Sequence, residues 1–138
     1  MPDTSVPTFP QTGGCQCGAI RYELRAPPLG IWACHCNLCR TQSGSAFGLS
    51  MGVALEALVF TQGEPAVWTR TAESGHVVDQ IYCPDCGSRL IHRRHINEGR
   101  QTLKPGTLDD TSWVAPERHI FTEFALDWVK PLIGDPTA

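Results

Sequence analysis

The seven cysteines of this chain lie in three short groups, and their spacing constrains the fold more than any other feature. The groups are a pair, a trio and a second pair: Cys15 and Cys17; Cys34, Cys36 and Cys39; Cys83 and Cys86. Cysteines two or three residues apart are typical metal ligands, because both sulfur atoms can reach one ion without distorting the backbone. Seven sulfurs divide naturally into one site of four and a second site of three.

Composition favours a small globular protein with many turns. A chain of 138 residues suits one domain, and its 13 glycines and 11 prolines make helix scarce. An odd number of cysteines cannot form a complete set of disulfides. The formal net charge is −3, and the longest basic run is the pair Arg93 and Arg94. This charge distribution lacks the cluster of positive side chains that binds nucleic acid, so we expect no nucleic-acid partner.

The first residues do not have the pattern of a targeting sequence. They include Pro2, Pro7 and Pro10 and no apolar h-region, and no stretch approaches the roughly 20 apolar residues of a membrane span. We therefore expect a cytoplasmic protein without a membrane partner, in which clustered cysteines act as ligands. We expect residues 1–12 to form a flexible N-terminal arm and residues 13–138 a single zinc-binding domain. The sequence does not predict an oligomeric state.

Short extended segments account for much of the remaining chain. Residues 20–25 alternate apolar and polar side chains, as in a half-buried strand. Further extended segments are predicted at residues 31–33, 46–51, 67–70, 77–82, 89–93, 102–103, 105–108 and 119–124. Residues 40–44 have the composition of a loop, Gly52 is expected to end a strand, and residues 53–60 remain ambiguous between helix and strand. The sequence predicts an all-β fold of short strands with little helix.

The two outer pairs suit a structural metal site. Cys15 and Cys17 can face the same side of an extended segment. Cys83 and Cys86 have the spacing of a zinc knuckle, in which a tight turn followed by Gly87 directs two sulfurs inward. Four thiolates around one ion would stabilise the fold directly.

The middle trio can bind one ion and leave its last position open. Cys34, Cys36 and Cys39 combine both spacings in six residues, and no further cysteine remains for them. An open position is what separates catalytic zinc sites from structural ones.

Two other arrangements stay open at this point. Cys36 and Cys39 could combine with the pair at 83 and 86, which would leave Cys15, Cys17 and Cys34 as the trio. The middle cluster could also be a second structural site that is completed by an acidic group or by one of the five histidines: His35, His76, His92, His95 or His119.

The cysteine segments and several others resemble the glutathione-dependent formaldehyde-activating enzyme family. The matching segments are residues 14–22, 34–40 with 43–44, 82–88, 106–110 and 116–120, and Trp128. The resemblance implies a β-tent of short antiparallel strands with two zinc ions per chain. It implies a structural zinc on Cys15, Cys17, Cys83 and Cys86, and a catalytic zinc on Cys34, Cys36 and Cys39.

The family's name-giving reaction joins formaldehyde to the thiol of glutathione. The resemblance thus implies a zinc-dependent enzyme of the carbon-sulfur lyase type, with a small thiol or aldehyde adduct as substrate and glutathione as co-substrate. Because glutathione carries two carboxylates, its site should contain cations; Arg40 is the first candidate, followed by Arg89, Arg93 and Arg94. His35 is a second candidate substrate-binding residue, and His35, His119 and Asp109 are candidate proton carriers. The alternative is a non-catalytic, zinc-stapled binding or metal-handling module.

Overall fold

Residues 7–133 are described by a computed structural model, in which ten strands form two sheets. The strands are β1 Gln11–Gly14, β2 Arg21–Leu24, β3 Gly30–Cys34, β4 Gly48–Ala54, β5 Leu58–Gln62, β6 Ala66–Thr71, β7 Val77–Tyr82, β8 Arg89–Arg94, β9 Arg100–Leu103 and β10 Arg118–Ile120. One α-helix, α1, spans Asn37–Ser43, and 3₁₀ turns occupy Leu55–Ala57, Pro105–Thr107, Thr122–Phe124 and Lys130–Leu132. The predicted all-β class with little helix is confirmed.

Pairing between the strands is antiparallel with one exception. The smaller sheet has the order β1-β2-β5, and the larger has the order β10-β3-β4-β9-β8-β7-β6. The exception is β10, which pairs with β3 in parallel. Gln11 and Thr12, which the sequence assigned to the N-terminal arm, belong to β1 and pair with β2. Residues 1–6 of that arm lie outside the described residues.

One cluster of buried apolar side chains joins the two sheets. It includes Tyr22 and Leu24 from β2, and a row of residues that runs across the larger sheet. In that row Met51, Leu103, Ile91 and Ile81 are successive cross-strand partners. Burial of each large apolar side chain contributes about 1.5–3 kcal/mol, so this contact is the main apolar source of stability.

The opposite side of the larger sheet, which we call the outer face, carries polar and aromatic side chains. Its central row is formed by Gly52, Thr102, His92, Gln80 and Trp68, which are also successive cross-strand partners. Because side chains alternate between the faces of a strand, this row and the apolar row point in opposite directions. The outer face extends from the Cys34 end of β3 to β6 at the edge of the sheet.

The prediction of a loop at residues 40–44 was wrong, because α1 reaches Ser43. The thiol of Cys36 caps the helix by accepting a hydrogen bond from the Cys39 backbone N–H at 3.3 Å. Gly44 ends the helix in a left-handed conformation, with φ of 61°, and its N–H bonds to the carbonyl of Thr41. Sequence reasoning did not treat cysteine as a helix cap.

Three other local predictions also differ from the structure. Gly52 does not end a strand but lies inside β4, where the ring of Trp32 packs against it: a Cβ there would lie 3.3 Å from Trp32 Cζ3. Two segments that were predicted to be extended, residues 105–108 and the end of 119–124, contain 3₁₀ turns instead. In the part of the chain that the structure describes, no helix has both the length and the apolar character needed to cross a membrane.

Candidate metal centres

The two outer cysteine pairs meet in one group of four sulfur atoms. Cys15 and Cys17 lie in the turn between β1 and β2, and Cys83 and Cys86 lie in the turn between β7 and β8. All four Sγ atoms lie within 4.8 Å of one another. The contacts include 3.6 Å from Cys15 to Cys17 and 3.8 Å from Cys17 to Cys83. The donor set fits a closed tetrahedral site for zinc or another thiophilic metal.

Hydrogen bonds hold the two cysteine turns in similar conformations and connect them. Each turn contains a glycine with positive φ, Gly18 at 82° and Gly87 at 79°, which a side chain would disfavour. The Ser88 hydroxyl accepts a hydrogen bond from the backbone N–H of Gln16 at 2.9 Å, which links one turn to the other. The same hydroxyl lies 3.2 Å from Cys86 Sγ and lowers the pKa of that thiol to about 5. These bonds position the four sulfurs, and the bond from Ser88 favours the thiolate form of Cys86, which is the form that binds metal.

The middle trio forms the second group of sulfur atoms. Cys34 ends β3, Cys36 precedes α1 and Cys39 lies within it, so the strand-to-helix junction brings the three Sγ atoms within 4.8 Å of one another. A hydrogen bond from Cys39 is the main cause that lowers the pKa of Cys34 to about 6. Among residues 7–133, no histidine or carboxylate joins this group within the same distance. The cysteines are therefore grouped as four and three, and the trio has the donors for three positions of a metal ion.

Lys104 lies beside the trio and was missed by the sequence analysis. Its ammonium group donates a hydrogen bond to Ser50 Oγ at 3.2 Å. A Cβ added to Gly48 would lie 3.3 Å from Cys39 Cβ and 3.4 Å from Lys104 Nζ, so the two side chains meet over this glycine. The positive charge of Lys104 is one of the contributions that lower the pKa of Cys34. No motif marks this lysine, and only the register of β9 against β4 places it here.

His35 and His119 form a hydrogen-bonded pair behind the trio. The Nε2 atom of His35 lies 2.9 Å from Nδ1 of His119, and the His35 backbone N–H donates to the carbonyl of Ile120 at 3.0 Å. His35 has no exposed surface, and burial lowers its pKa and favours the neutral ring. Phe47 packs against it, with ring centroids 5.1 Å apart. The pair fixes β10 against β3, directly next to the segment that carries Cys34 and Cys36.

The two other candidates lie in different surroundings. Arg40 is half-buried on α1, one residue after Cys39, and donates a hydrogen bond to Asn37 Oδ1 at 3.0 Å. Asp109 forms an ion pair with Arg21 on β2 and accepts a hydrogen bond from Thr12 at 2.6 Å. The Arg21 guanidinium holds the pKa of the Asp109 carboxyl below its ordinary value. Asp109 thus contacts both β1 and β2 of the smaller sheet and is not part of the cysteine trio.

A pocket opens on the outer face between β6, β7 and β8. Its volume is about 320 Å³. We call it the cationic pocket, and it is lined by Trp68, Gln80, Tyr82, Gly87 and Arg89. A bulge between Ile81 and Tyr82 brings Arg89 opposite Tyr82, and the guanidinium donates a hydrogen bond to Gln80 Oε1. The neighbouring His92 has a buried Nε2 atom without a hydrogen-bond partner. Burial, Lys104, Arg89 and Arg70 together lower its pKa to about 3.

The fold and the two cysteine groups define a small all-β protein with two thiolate sites of unequal ligand number. The sequence model of the glutathione-dependent formaldehyde-activating enzyme family matches residues 10–124, and the chain belongs to this family. A solved structure of a Rhodobacter sphaeroides protein is similar in fold, with a TM-score of 0.58 and 21% sequence identity over 76% of this chain and 91% of the other.

Proposed function

We propose that this protein is a zinc-dependent enzyme that joins formaldehyde to the thiol of glutathione and gives S-hydroxymethylglutathione. The reaction is formally that of a carbon-sulfur lyase in the synthetic direction. The observation that carries the proposal is the trio of Cys34, Cys36 and Cys39, which offers three thiolates and has no fourth protein ligand among residues 7–133. Family membership connects such a site with glutathione and formaldehyde.

We assign zinc to both cysteine groups, with a different function at each. Cys15, Cys17, Cys83 and Cys86 hold a structural zinc, and the trio holds a catalytic one, which gives two zinc ions per chain. Thiolate-only donor sets favour zinc over harder ions such as magnesium. A zinc ion at the trio acts as a Lewis acid that favours the deprotonated form of an incoming thiol at neutral pH.

The residues around the trio support this chemistry through charge and position. Three thiolates with one divalent ion carry a formal charge of about −1, which would repel an anionic thiol. The ammonium group of Lys104 beside Cys39 offsets that charge. In the reaction the sulfur forms a bond to the aldehyde carbon, the carbon-oxygen π bond opens, and the thiol proton ends on the new hydroxyl. Atoms and electrons therefore balance without an oxidant or reductant.

The histidine pair and Arg40 have supporting roles in this proposal. Because His35 is fully buried, it acts on substrate binding through His119 and through the position of the Cys34 segment rather than by direct contact. Arg40 lies on the helix that carries Cys39 and supplies a cation for a substrate carboxylate. We also propose that residues 11–133 form a single domain, and that the protein acts in the cytoplasm, where glutathione keeps thiols reduced.

The direct test is NMR exchange spectroscopy of formaldehyde and glutathione with the zinc-loaded protein. We expect faster exchange between free glutathione and S-hydroxymethylglutathione than in buffer alone, in proportion to protein concentration. The matched control is Cys39→Ala at the same concentration, which retains the four-sulfur site and should return the rate to near the uncatalysed value. If the zinc-loaded protein did not accelerate exchange, the proposed reaction would be ruled out. The alternative, a non-catalytic binding or metal-handling module, would then be favoured.

A further inference from the structure

Strand β6 forms a free edge of the larger sheet. It stands last in the order of that sheet, and among residues 7–133 it pairs only with β7. With six residues it is the longest of the edge strands, since β10, β1 and β5 have three, four and five. Many natural edge strands are short or contain a proline or a bulge, which prevents pairing with another chain. β6 has no proline and pairs with β7 without a register shift.

The pairing of β6 with β7 determines which of its backbone groups face outward. The Ala72 N–H donates to the His76 carbonyl at 2.8 Å, next to the turn that joins the two strands. Hydrogen-bonded and non-hydrogen-bonded pairs alternate along an antiparallel ladder, so the even-numbered residues of β6 bond to β7. The N–H and C=O groups of Val67, Thr69 and Thr71 therefore point to the free edge. They form a row of donors and acceptors that fits another strand.

The side chains along this edge are exposed on both faces of the strand. The exposed fractions are 52% for Val67 and 54% for Trp68, and Thr69 is also exposed. Because side chains alternate along a strand, Val67 and Trp68 lie on opposite faces of the sheet. A strand added at this edge contacts both side chains and also bonds to the outward backbone groups. The surface therefore fits an extended chain.

Two opposite charges lie at equal distances from Val67 along the chain. Glu64 lies three residues before it and Arg70 three residues after it. Neither charge belongs to an ion pair in the part of the chain that the structure describes. Burial and then the positive charge of Arg70 lower the pKa of Arg89, so a second cation lies near Arg70. If two copies of β6 run antiparallel with Val67 opposite Val67, each Glu64 lies opposite the other copy's Arg70.

Charge distinguishes this register from the two neighbouring ones. Odd-numbered residues must lie opposite odd-numbered residues, because they carry the outward backbone groups. A pair centred on Trp68 meets this condition but places Arg70 opposite Ala66. A pair centred on Thr69 meets it too but places Arg70 opposite Trp68. Of the three registers, the one centred on Val67 brings opposite charges together, at non-hydrogen-bonded positions where facing side chains are closest.

We propose that two copies of this chain associate through β6, antiparallel and centred on Val67, so that their two seven-stranded sheets become one. The contact is isologous: it covers the free edge of both copies and therefore stops at a dimer. Trp68 lines the cationic pocket, so the association places the pockets of both copies on one continuous outer face. This dimer goes beyond the reaction proposed above and does not depend on it.

Sedimentation equilibrium of the zinc-loaded protein under reducing conditions tests the association. A contact through one strand pair is smaller than the roughly 1,200–2,000 Å² of a standard interface, so we expect a dissociation constant on the order of 10 μM. The measured mass should rise with concentration from that of one chain to that of two. The mass of a single chain at every concentration up to about 1 mM would overturn the inference and leave this edge to an extended segment of a different protein.

A cycle of charge reversals tests the register. Arg70→Glu and Glu64→Arg each replace two opposite-charge pairs by two like-charge pairs, so each should weaken dimerisation by roughly 10- to 100-fold. The double variant restores opposite charges and should dimerise within about threefold of the unmodified protein. The matched control is Arg94→Glu, which reverses an exposed charge on β8 and should leave dimerisation unchanged. Weakening by each single variant without recovery in the double variant would overturn the proposed contact.

Val67→Lys tests the contact without relying on charge pairs. The side chain of Val67 is half-exposed, so the fold should tolerate lysine, and circular dichroism checks that the strands remain. A lysine at a strand edge opposes pairing with a second strand. We expect this variant to keep the mass of one chain over the whole concentration range. A Val67→Lys protein that dimerised as strongly as the unmodified protein would show that β6 is not the interface.

Discussion

Replacing Cys83 by alanine is expected to remove one metal ion and to leave most of the protein unfolded at room temperature. Cys83 is fully buried and contributes to the core as well as to the group of four sulfurs. A structural zinc site contributes about 10–16 kcal/mol in small domains, and whole domains are stable by only about 5–15 kcal/mol. Loss of one of its four ligands therefore removes a large share of the free energy of unfolding. Circular dichroism during a thermal scan, with zinc measured on the same sample, checks this result.

Ser88→Ala is the matched control for that variant. It removes the hydroxyl that contacts Cys86 and Gln16 but retains all four sulfurs. We expect it to keep both metal ions and to lose about 1 kcal/mol of stability, as for an ordinary hydrogen bond. If Cys83→Ala melted cooperatively within a few degrees of the unmodified protein and still bound two ions, the assignment of a structural role to the four-sulfur group would be refuted.

Replacing Cys39 by alanine is expected to abolish the exchange reaction and to leave the fold intact. Cys39 lies in a seven-residue helix that contains no buried residue, so its loss leaves the apolar core unchanged. The trio retains two sulfurs, which is too few to hold a catalytic metal firmly. Metal catalysis contributes several kcal/mol, so the exchange rate should fall by about 10³-fold. Exchange spectroscopy measures the rate, and circular dichroism establishes that the strands remain.

Leu38→Ala tests whether an effect of Cys39→Ala belongs to the sulfur or to the helix. Leu38 is the preceding residue on α1 and its side chain is exposed, so we expect full activity and full metal content. Full activity in Cys39→Ala would show that the trio is not the reactive site. Equal unfolding of Cys39→Ala and Cys83→Ala would instead show that the two cysteine groups do not have separate structural and catalytic roles.

The trio and each cysteine pair could be predicted because ligand spacing is a local property of the sequence, whereas the meeting of the two pairs depends on the fold. Cys83 and Cys86 are connected by a single turn, and the cysteines from 34 to 39 lie within one strand-to-helix junction. Alternation of apolar and polar side chains likewise predicted β2, and extended segments were predicted at the positions of β7 and β8. The length of α1 could not be predicted in this way, because Cys36 serves both as a candidate ligand and as the helix cap.

The outer face could not be predicted, because it depends on register between distant strands. Lys104 comes next to the trio only when β9 pairs with β4, and Arg89 enters the cationic pocket because of the bulge in β8, where Leu90 is the extra residue. The pairing of His35 with His119 similarly requires β10 to lie parallel to β3, across 84 residues of sequence. Such contacts leave no periodic pattern in a single sequence. The sequence shows which residues are basic or aromatic, but not which of them the strands bring together.

The central claim is that one metal ion is bound by four sulfurs and a second ion by only three. Zinc analysis combined with X-ray absorption at the zinc edge tests it most directly, in the unmodified protein and in Cys39→Ala, both purified under reducing conditions. We expect two zinc ions per chain in the unmodified protein. In Cys39→Ala we expect a single remaining ion whose neighbours are four sulfur atoms at about 2.3 Å. A single ion in the unmodified protein, or a remaining ion with fewer than four sulfur neighbours in the variant, would contradict this division.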